Sequence, residues 1–240
     1  MQHFQIEECI RYFKTELYEV QHYPYQELVD IIQDVGFSCT CCGKCCTAAF
    51  NGHIYLLPDD IRHVRSTHPD LFVPAPGFEL ADREGRMYAS SYALQMHPDG
   101  TCPLFQDGRC SDYQHRFFIC KVYPYMLHRE QDAEGKYDFR QISGLNQHGA
   151  YHTTISSQQA GEIADMIYSY EQAYLKHMIQ FYQFMQHYFT EHALRYSRQA
   201  YDKVMKTFYQ GGEIDVSVFV SGSLISHRVS LQSYHTHFNP

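Results

Sequence analysis

The sequence predicts an α+β fold, in which a small cysteine-rich core of short strands and loops is flanked by an N-terminal helix and a long C-terminal helical hairpin. Two observations support this prediction. Apolar residues recur at three- and four-residue steps near both ends of the chain, as they do on one face of a helix. The middle of the chain instead holds short apolar stretches separated by turn residues, together with most of the cysteines.

The N-terminal region predicts two helices. An apolar stripe runs through residues 4 to 23 and ends before Pro24. Cys9 lies on this stripe, so we expect it to be a small buried core residue and not a ligand. Residues 25 to 35 predict a second, shorter helix, which leads through Gly36 into a cysteine-rich loop.

That loop packs five of the nine cysteines into eight consecutive positions. Without Cys41, it reads C-x-x-C-x-x-C-C and consists of Cys39, Cys42, Cys45 and Cys46. A two-residue gap lets a turn bring two thiolates to one metal ion. Three cysteines at this spacing also hold iron–sulfur clusters. The spacing therefore predicts a metal site but does not choose the metal.

The segment after the loop predicts strands and one helix. Residues 52 to 57 and 87 to 96 have the pattern of short strands. Between them, proline followed by two acidic residues is typical of a helix start and predicts a helix over about residues 59 to 68. His63 and His68 do not share a face of that helix, so we expect solvated or structural roles for both.

A second cysteine group follows a turn at residues 97 to 100 and consists of Cys102, Cys110 and Cys120. Asp107-Gly108 is a hairpin-turn signal inside this group. We therefore expect the group to lie on a hairpin or short helix folded against the first loop. Arg116 and Lys121 are interpreted as charge partners of a thiolate-rich site, with plain solvent exposure as the alternative.

The C-terminal region predicts a helix of more than thirty residues from Ser156 and a second helix over about residues 192 to 209. The methionine and aromatic stripe of the long helix is typical of a core or of a partner surface. Residues 214 to 220 alternate as in an edge strand. The final stretch carries His227, His235 and His237 and predicts a frayed, solvated terminus, with opportunistic metal binding by these histidines as the alternative.

The composition is that of a soluble globular protein of 240 residues, with 44% hydrophobic and 19% charged residues. The predicted division is a cysteine-cluster domain over residues 1–152, with its core at 37–125, and a helical region over 153–240 packed on it as one unit. The net charge of −8 argues against binding to nucleic acid or an anionic membrane. The N-terminus lacks the pattern of a secretory signal, and no apolar stretch reaches the length of a membrane span. We therefore expect a cytoplasmic protein, in which clustered cysteines serve as metal ligands and not as disulfides.

The order and spacing of the motifs over residues 37 to 125 resemble the YkgJ-type CxxCxxCC cysteine-cluster family, described as a zinc- or iron-chelating domain. Besides the first loop, the resemblance rests on Cys102-Pro103-Leu104-Phe105, Gly108, Cys110, Tyr113, Arg116, Cys120 and Tyr123-Pro124. It implies seven metal-ligand thiolates, at Cys39, Cys42, Cys45, Cys46, Cys102, Cys110 and Cys120. Members of the family often carry a later cysteine; residues 141 to 149 lack one here, and His148 is the nearest substitute.

The sequence thus predicts a metal-binding protein that chelates an iron–sulfur cluster or zinc. The spacing and the Cys102-Pro103 pair favour the cluster. One alternative is an enzyme like the flagellin lysine methylases, which resemble this family and use S-adenosylmethionine; no catalytic residue is identified for it. A further alternative is a structural zinc module whose C-terminal helices bind a protein partner.

The number of thiols leaves the arrangement of the site open. Seven exceed the four that one zinc ion or one cubane cluster needs, so two centres, or one centre plus working thiols, both fit. Cys41 is a candidate eighth ligand. The side chains of Cys45 and Cys46 are expected to diverge because they are consecutive.

Overall fold

A computed structural model describes residues 2–48, 52–125, 127–131, 137–139 and 146–234. Both helices and short strands are present, which confirms the predicted α+β class. The helices are α1 Gln2–His22, α2 Tyr25–Val35, α3 Pro58–Thr67, α4 Phe118–Val122, α5 Ser157–Glu191 and α6 Arg198–Tyr209. A single 3₁₀ turn at Lys44–Cys46 lies in the cysteine loop.

The strands are short and form several small sheets. They are β1 Tyr55–Leu56, β2 Phe72–Pro74, β3 Leu80–Ala81, β4 Met87–Ala89, β5 Tyr92–Leu94, β6 Phe105–Gln106, β7 Arg109–Cys110, β8 Leu127–Gln131, β9 Tyr137–Phe139, β10 Ile214–Val220 and β11 Ser223–Val229. One sheet has the order β1-β5-β2 and another β11-β10-β4-β3. The pairs β6-β7 and β8-β9 are separate antiparallel hairpins.

The predicted edge strand at residues 214 to 220 is instead a central strand. β10 pairs antiparallel with β11 on one side and parallel with β4 on the other, where Val218 is opposite Ala89. Only a strand with partners on both sides is closed to solvent at both edges, and four consecutive residues of β10 are buried accordingly. The single strand predicted over residues 87 to 96 is also divided, because β4 and β5 belong to different sheets.

Up to residue 234, where the described residues end, the C-terminal stretch is more ordered than predicted. His227 lies in β11, and its Nε2 is 2.7 Å from the hydroxyl of Tyr92, so it is not part of a frayed tail. His235 and His237 lie outside the described residues.

Helix α5 is the structural centre of the helical part. Its predicted apolar stripe is largely core, since Ile167, Tyr170, Met178, Phe181, Met185 and Phe189 are all buried. Helices α1 and α2 pack along it. The expected hairpin of α5 and α6 is not formed. Helix α6 instead packs mainly against β3 and β10, because its Phe208 enters the core beneath the sheet.

The two predicted regions share one sheet. β4 comes from the N-terminal region and β10 from the C-terminal one, and three residue pairs join them. The division near residue 152 stays a prediction; the shared sheet supports the expectation that the regions pack as one unit. Among the described residues, no helix combines the length and apolar character that crossing a membrane requires.

Candidate metal centre

The first cysteine loop begins where α2 ends. Gly36 caps that helix in the left-handed conformation, and its N–H donates to Ile32 at 2.9 Å. Ser38 then forms a two-way backbone bridge with Ala150, at 2.8 and 2.9 Å. The loop is therefore attached at its start both to a helix and to a distant segment.

Gly43 creates the tight turn within the loop. Its φ of +76° lies in the left-handed region, which glycine adopts without steric cost. The ring of Phe105 occupies the space where a side chain would be, so a Cβ at this position would clash with it. After Gly43 the 3₁₀ turn places Cys45 and Cys46.

Backbone hydrogen bonds join the second cysteine group to the first. The N–H of Cys102 donates to the carbonyl of Cys46 at 2.8 Å, and that of Ala48 donates to Gly100 at 2.8 Å. Thr47 and Thr101 form an antiparallel bridge. The turn at residues 97 to 100 thus delivers Cys102 to the first loop, as the sequence predicted.

The remaining two cysteines come from two further elements. Cys110 lies on β7, and the β6-β7 hairpin turns at Asp107 and Gly108, both with positive φ, which confirms the predicted turn. Cys120 lies on the short helix α4. The first loop is more than fifty residues before this second group, and the two meet only through folding.

Eight of the nine cysteines line one pocket, with a cavity volume of about 100 Å³. They are Cys39, Cys41, Cys42, Cys45, Cys46, Cys102, Cys110 and Cys120. Cys9 lies elsewhere, partly buried against the helical core and hydrogen-bonded to Tyr182, in agreement with the prediction. All nine cysteines lie in the described part of the chain, and none of them forms a disulfide.

The pocket thiols divide into two tiers by exposure. We call the exposed ones the mouth thiols, Cys39, Cys41 and Cys42. We call the buried or partly buried ones the floor thiols, Cys45, Cys46, Cys102, Cys110 and Cys120. Over the described ranges, no three His, Cys, Asp or Glu side chains already stand in the geometry of a bound metal ion. Metal binding would therefore require the thiols to turn toward a common centre.

The floor thiols are close enough to influence one another's charge. Burial raises the pKa of the Cys102 thiol to about 11, and neighbouring thiolates add to this effect. Burial likewise raises the pKa of Cys120, with contributions from Cys45, Cys102 and Cys110. Several thiolates in one partly buried place repel each other, and a cation placed among them would relieve that repulsion.

Cys45 is the exception within the floor. A hydrogen bond from the Cys46 thiol lowers the pKa of Cys45 to about 7, and the charge of Arg116 acts in the same direction. The two consecutive thiols are therefore near each other, contrary to the expectation that they diverge. Both lie in the 3₁₀ turn.

Among the mouth thiols, Cys42 is surrounded by donors. Burial acts to raise its pKa, but backbone N–H groups of Lys44 and Gly149 and the hydroxyl of Thr40 donate to it and lower the pKa overall. Gly149 belongs to the segment that pairs with Ser38 and so closes one side of the pocket.

The two predicted charge partners behave differently. Arg116 lines the pocket, and its guanidinium lies 4.1 Å from the centre of the Tyr113 ring. Its Nε is buried and has no hydrogen-bond partner among the described residues. Lys121 is exposed, does not line the pocket and acts electrostatically on Asp60. The interpretation is thus supported for Arg116 and not for Lys121.

Two histidines also line the pocket. His148, the substitute suggested by sequence, is buried, and its Nε2 lies 2.6 Å from the hydroxyl of Tyr123. His53 is not predictable as a pocket residue from the sequence, since a lone histidine before a short strand carries no ligand spacing; burial lowers its pKa. His63, which was expected to be structural, lies outside the pocket and is 2.6 Å from Asp112.

Residues 38–141 match the model of the CxxCxxCC family, described as "Putative zinc- or iron-chelating domain". The match covers less than half of the chain and concerns this region alone. The resemblance inferred from the motifs is thereby confirmed for this region. All seven predicted ligand positions fall within it. No curated protein and no solved structure matches the chain.

Proposed function

We propose that the region over residues 38–141 holds a thiolate-bound metal centre, and that this centre is an iron–sulfur cluster in preference to a zinc ion. One observation carries the proposal: eight thiols from four separate segments converge on a single pocket. Cysteines that serve only as small core residues need not converge, because each of them could be buried at a separate place in the core. Soft thiolates are the donors that zinc and iron–sulfur clusters share.

The donor set fits such a group. The candidate ligands are Cys39, Cys42, Cys45, Cys46, Cys102, Cys110 and Cys120, and Cys41 is an additional donor. Arg116 faces them with a fixed positive charge, which offsets the excess negative charge of a thiolate site. When bound, a cluster would supply one-electron redox chemistry, whereas a zinc ion held by four thiolates would stabilise the fold.

Two properties favour a cluster over one zinc ion. The cavity of about 100 Å³ is well above the roughly 10–15 Å³ that a single water needs, so it admits a group larger than one ion. Its wall also includes aromatic and aliphatic side chains, among them Phe37, Phe105 and Ile119. Such a shell limits solvent access to a bound cluster, which is one of the properties that set its redox potential.

Elemental analysis with a visible spectrum tests the proposal, on untagged protein purified without oxygen. Iron with acid-labile sulfide and a brown colour is the expected result. Zinc in a colourless sample would retain the thiolate centre and reject the cluster. Protein without either metal, and unable to take up either, would reject the proposal altogether.

Substitution of one ligand tests the assignment of the site. Cys45→Ser should lose most of the metal and lower the melting temperature, because binding and folding are coupled at thiolate sites. Cys9→Ser is the matched control, a partly buried cysteine outside the pocket, and should retain the full metal content. Equal metal content in the two variants would contradict the role of Cys45.

A further inference from the structure

The outer face of helix α1 is exposed to solvent. Its inner face supplies Ile6, Ile10 and Val20 to the core. On the outer face, Tyr12 is 48% exposed and Tyr18 is 57% exposed, the two highest values among the large hydrophobic side chains in the part of the chain that the structure describes. Tyrosine is enriched at protein interfaces, because its ring contributes a large contact area and its hydroxyl can stay hydrogen-bonded. Two such rings on one helix face therefore indicate an interaction surface.

This outer face is arranged symmetrically about Thr15. Tyr12 and Tyr18 lie three residues before and after it. Arg11 and Glu19 lie four residues before and after it. Residues three and four apart share a face of an α-helix, so the five side chains stand on the same side. We call these five residues the Thr15 face; its symmetry relates tyrosine to tyrosine and a positive charge to a negative one.

The charges of the Thr15 face are available to a partner. Over the described ranges, the side chains of Arg11 and Glu19 make no ion pair and no hydrogen bond. Arg11, Thr15 and Tyr18 also line an open depression on the surface, with a volume of about 400 Å³. The face thus offers contact area, two opposite charges and a place for an incoming side chain.

We propose that the Thr15 face binds the same face of a second copy of this chain, with the two α1 helices antiparallel about a two-fold axis at Thr15. In such a pair, residues equally far before and after the axis stand at the same level. Arg11 is then opposite Glu19 of the second copy, and Tyr12 is opposite its Tyr18. The two-fold axis forms each of these pairings twice.

The charge pattern selects this arrangement and this partner. If the two helices were parallel, each residue would be opposite its own copy, and two Arg11 side chains would repel each other. A two-fold interface has to be complementary to itself, whereas a surface for a different protein needs no symmetric pattern. The equal spacing of Arg11 and Glu19 from Thr15 meets that requirement.

We expect the dimer to be weak and reversible. One helix from each copy buries less than the roughly 800 Å² per partner of a standard interface. Salt should weaken the dimer further, because its charge pairs lie at the surface. None of the five residues of the Thr15 face lines the cysteine pocket, so this inference is independent of the proposed metal centre.

Sedimentation equilibrium of the full chain as purified tests the proposal, with a reductant present and at protein concentrations from micromolar to submillimolar. It compares the wild type with Arg11→Glu, with Glu19→Arg and with the variant that combines both substitutions. The combined variant carries the same two charges in exchanged positions, so it restores the pairing between copies. Lys203→Glu is the matched control, an equal change of charge at an exposed position of α6. Circular dichroism checks that each variant is folded.

We expect a dimer in the wild type and in Lys203→Glu, and a dissociation constant raised roughly tenfold or more by each single charge reversal. The combined variant should return close to the wild-type value, and an equimolar mixture of the two single variants should form a mixed dimer. A wild type that stays monomeric throughout the series would overturn the proposal. A dimer that neither reversal weakens would place the interface elsewhere and overturn it too. A combined variant as weak as the single ones would overturn the antiparallel pairing.

Discussion

At Gly43 the backbone turns through a left-handed conformation while the ring of Phe105 lies against it. Both conditions exclude a side chain, and they are independent of each other. The first concerns the backbone of the loop, and the second concerns packing between the loop and β6. Gly108 satisfies only the first condition, because its φ is +75° and no atom lies within 4 Å of a Cβ placed there.

This difference predicts unequal effects for two similar substitutions. Gly108→Ala should cost about 1–2 kcal/mol, the price of a left-handed alanine. Gly43→Ala should cost about 2–5 kcal/mol, since overpacking against Phe105 adds roughly 1–3 kcal/mol to the same backbone strain. Denaturant unfolding of the two variants measures both. Equal losses would mean that the ring moves aside without cost.

Glu79 is a carboxyl group enclosed by other polar side chains. It accepts a hydrogen bond from the Ser90 backbone N–H at 2.8 Å and another from the Ser90 hydroxyl. The ring hydroxyls of Tyr55 and Tyr182 lie near it and are influenced by its charge. Burial raises the pKa of this carboxyl to about 7, and the hydrogen bonds from Ser90 only partly oppose the shift.

The raised pKa predicts how stability changes with pH. The folded state holds the Glu79 proton more tightly than the unfolded state does. The stabilisation that this carboxyl contributes is therefore complete below about pH 4.5 and is lost as pH rises to about 7. The slope in this window is at most about 1.4 kcal/mol per pH unit. In denaturant unfolding, the free energy of unfolding of Glu79→Gln should fall less than that of the wild type as pH rises from 5 to 8.

Substitution of an exposed glutamate is the control for that measurement. Glu84 is solvent-exposed, and Glu84→Gln should follow the wild-type pH dependence. A Glu79→Gln profile parallel to those two would show that the Glu79 carboxyl is not protonated preferentially in the folded protein.

Among the elements, α5 is a 35-residue helix with a well-formed N-terminus. The hydroxyl of Ser156 accepts from the Gln159 N–H at 3.2 Å, while the Gln159 side chain accepts from the Ser156 N–H at 3.1 Å. This reciprocal pair is a capping box, which satisfies N–H groups that have no partner within the helix. The sequence predicted a capping start at this position.

Removing the capping hydroxyl should lower the free energy of unfolding more than removing a serine hydroxyl from the interior of the same helix. Ser156→Ala should lower the free energy of unfolding by about 1 kcal/mol. Ser169→Ala is the control, since its exposed hydroxyl donates to the Asp165 carbonyl within the helix, and we expect little or no loss. A loss for Ser169→Ala equal to that for Ser156→Ala would show that the cap contributes nothing specific.

For the whole molecule, the parallel pairing of β4 and β10 connects the two predicted regions. Val218 of β10 is completely buried and lies opposite Ala89 of β4. The same core also contains Cys102, while Cys46, Cys110 and Cys120 pack against it. A substitution that destabilises β10 should therefore also destabilise the cysteine pocket.

Val218→Ala should cost about 2 kcal/mol, from lost apolar burial and the cavity left behind. If the chain unfolds as one unit, far-ultraviolet circular dichroism and the reactivity of the pocket thiols should shift to the same lower denaturant midpoint. Asp215→Ala, at an exposed position of the same strand, should leave both midpoints nearly unchanged. Separate midpoints for the two signals would show that the regions unfold independently.

The sequence by itself determined the features that depend on neighbours along the chain. Helices α1, α2, α3 and α5 follow from local apolar periodicity and capping residues, so their positions were predictable to within a few residues. The ligand candidates Cys39 to Cys46 follow from spacing within one loop. The hairpin turn at Asp107 and Gly108 is also a local signal.

Only the tertiary structure decided which distant segments meet. β10 is central because β4, more than a hundred residues earlier, supplies its second partner, and no local pattern records that pairing. His53 joins the pocket and Lys121 does not, because side-chain direction depends on how each element packs. The influence of Cys46 on the pKa of Cys45 depends in the same way on the backbone conformation of the folded loop.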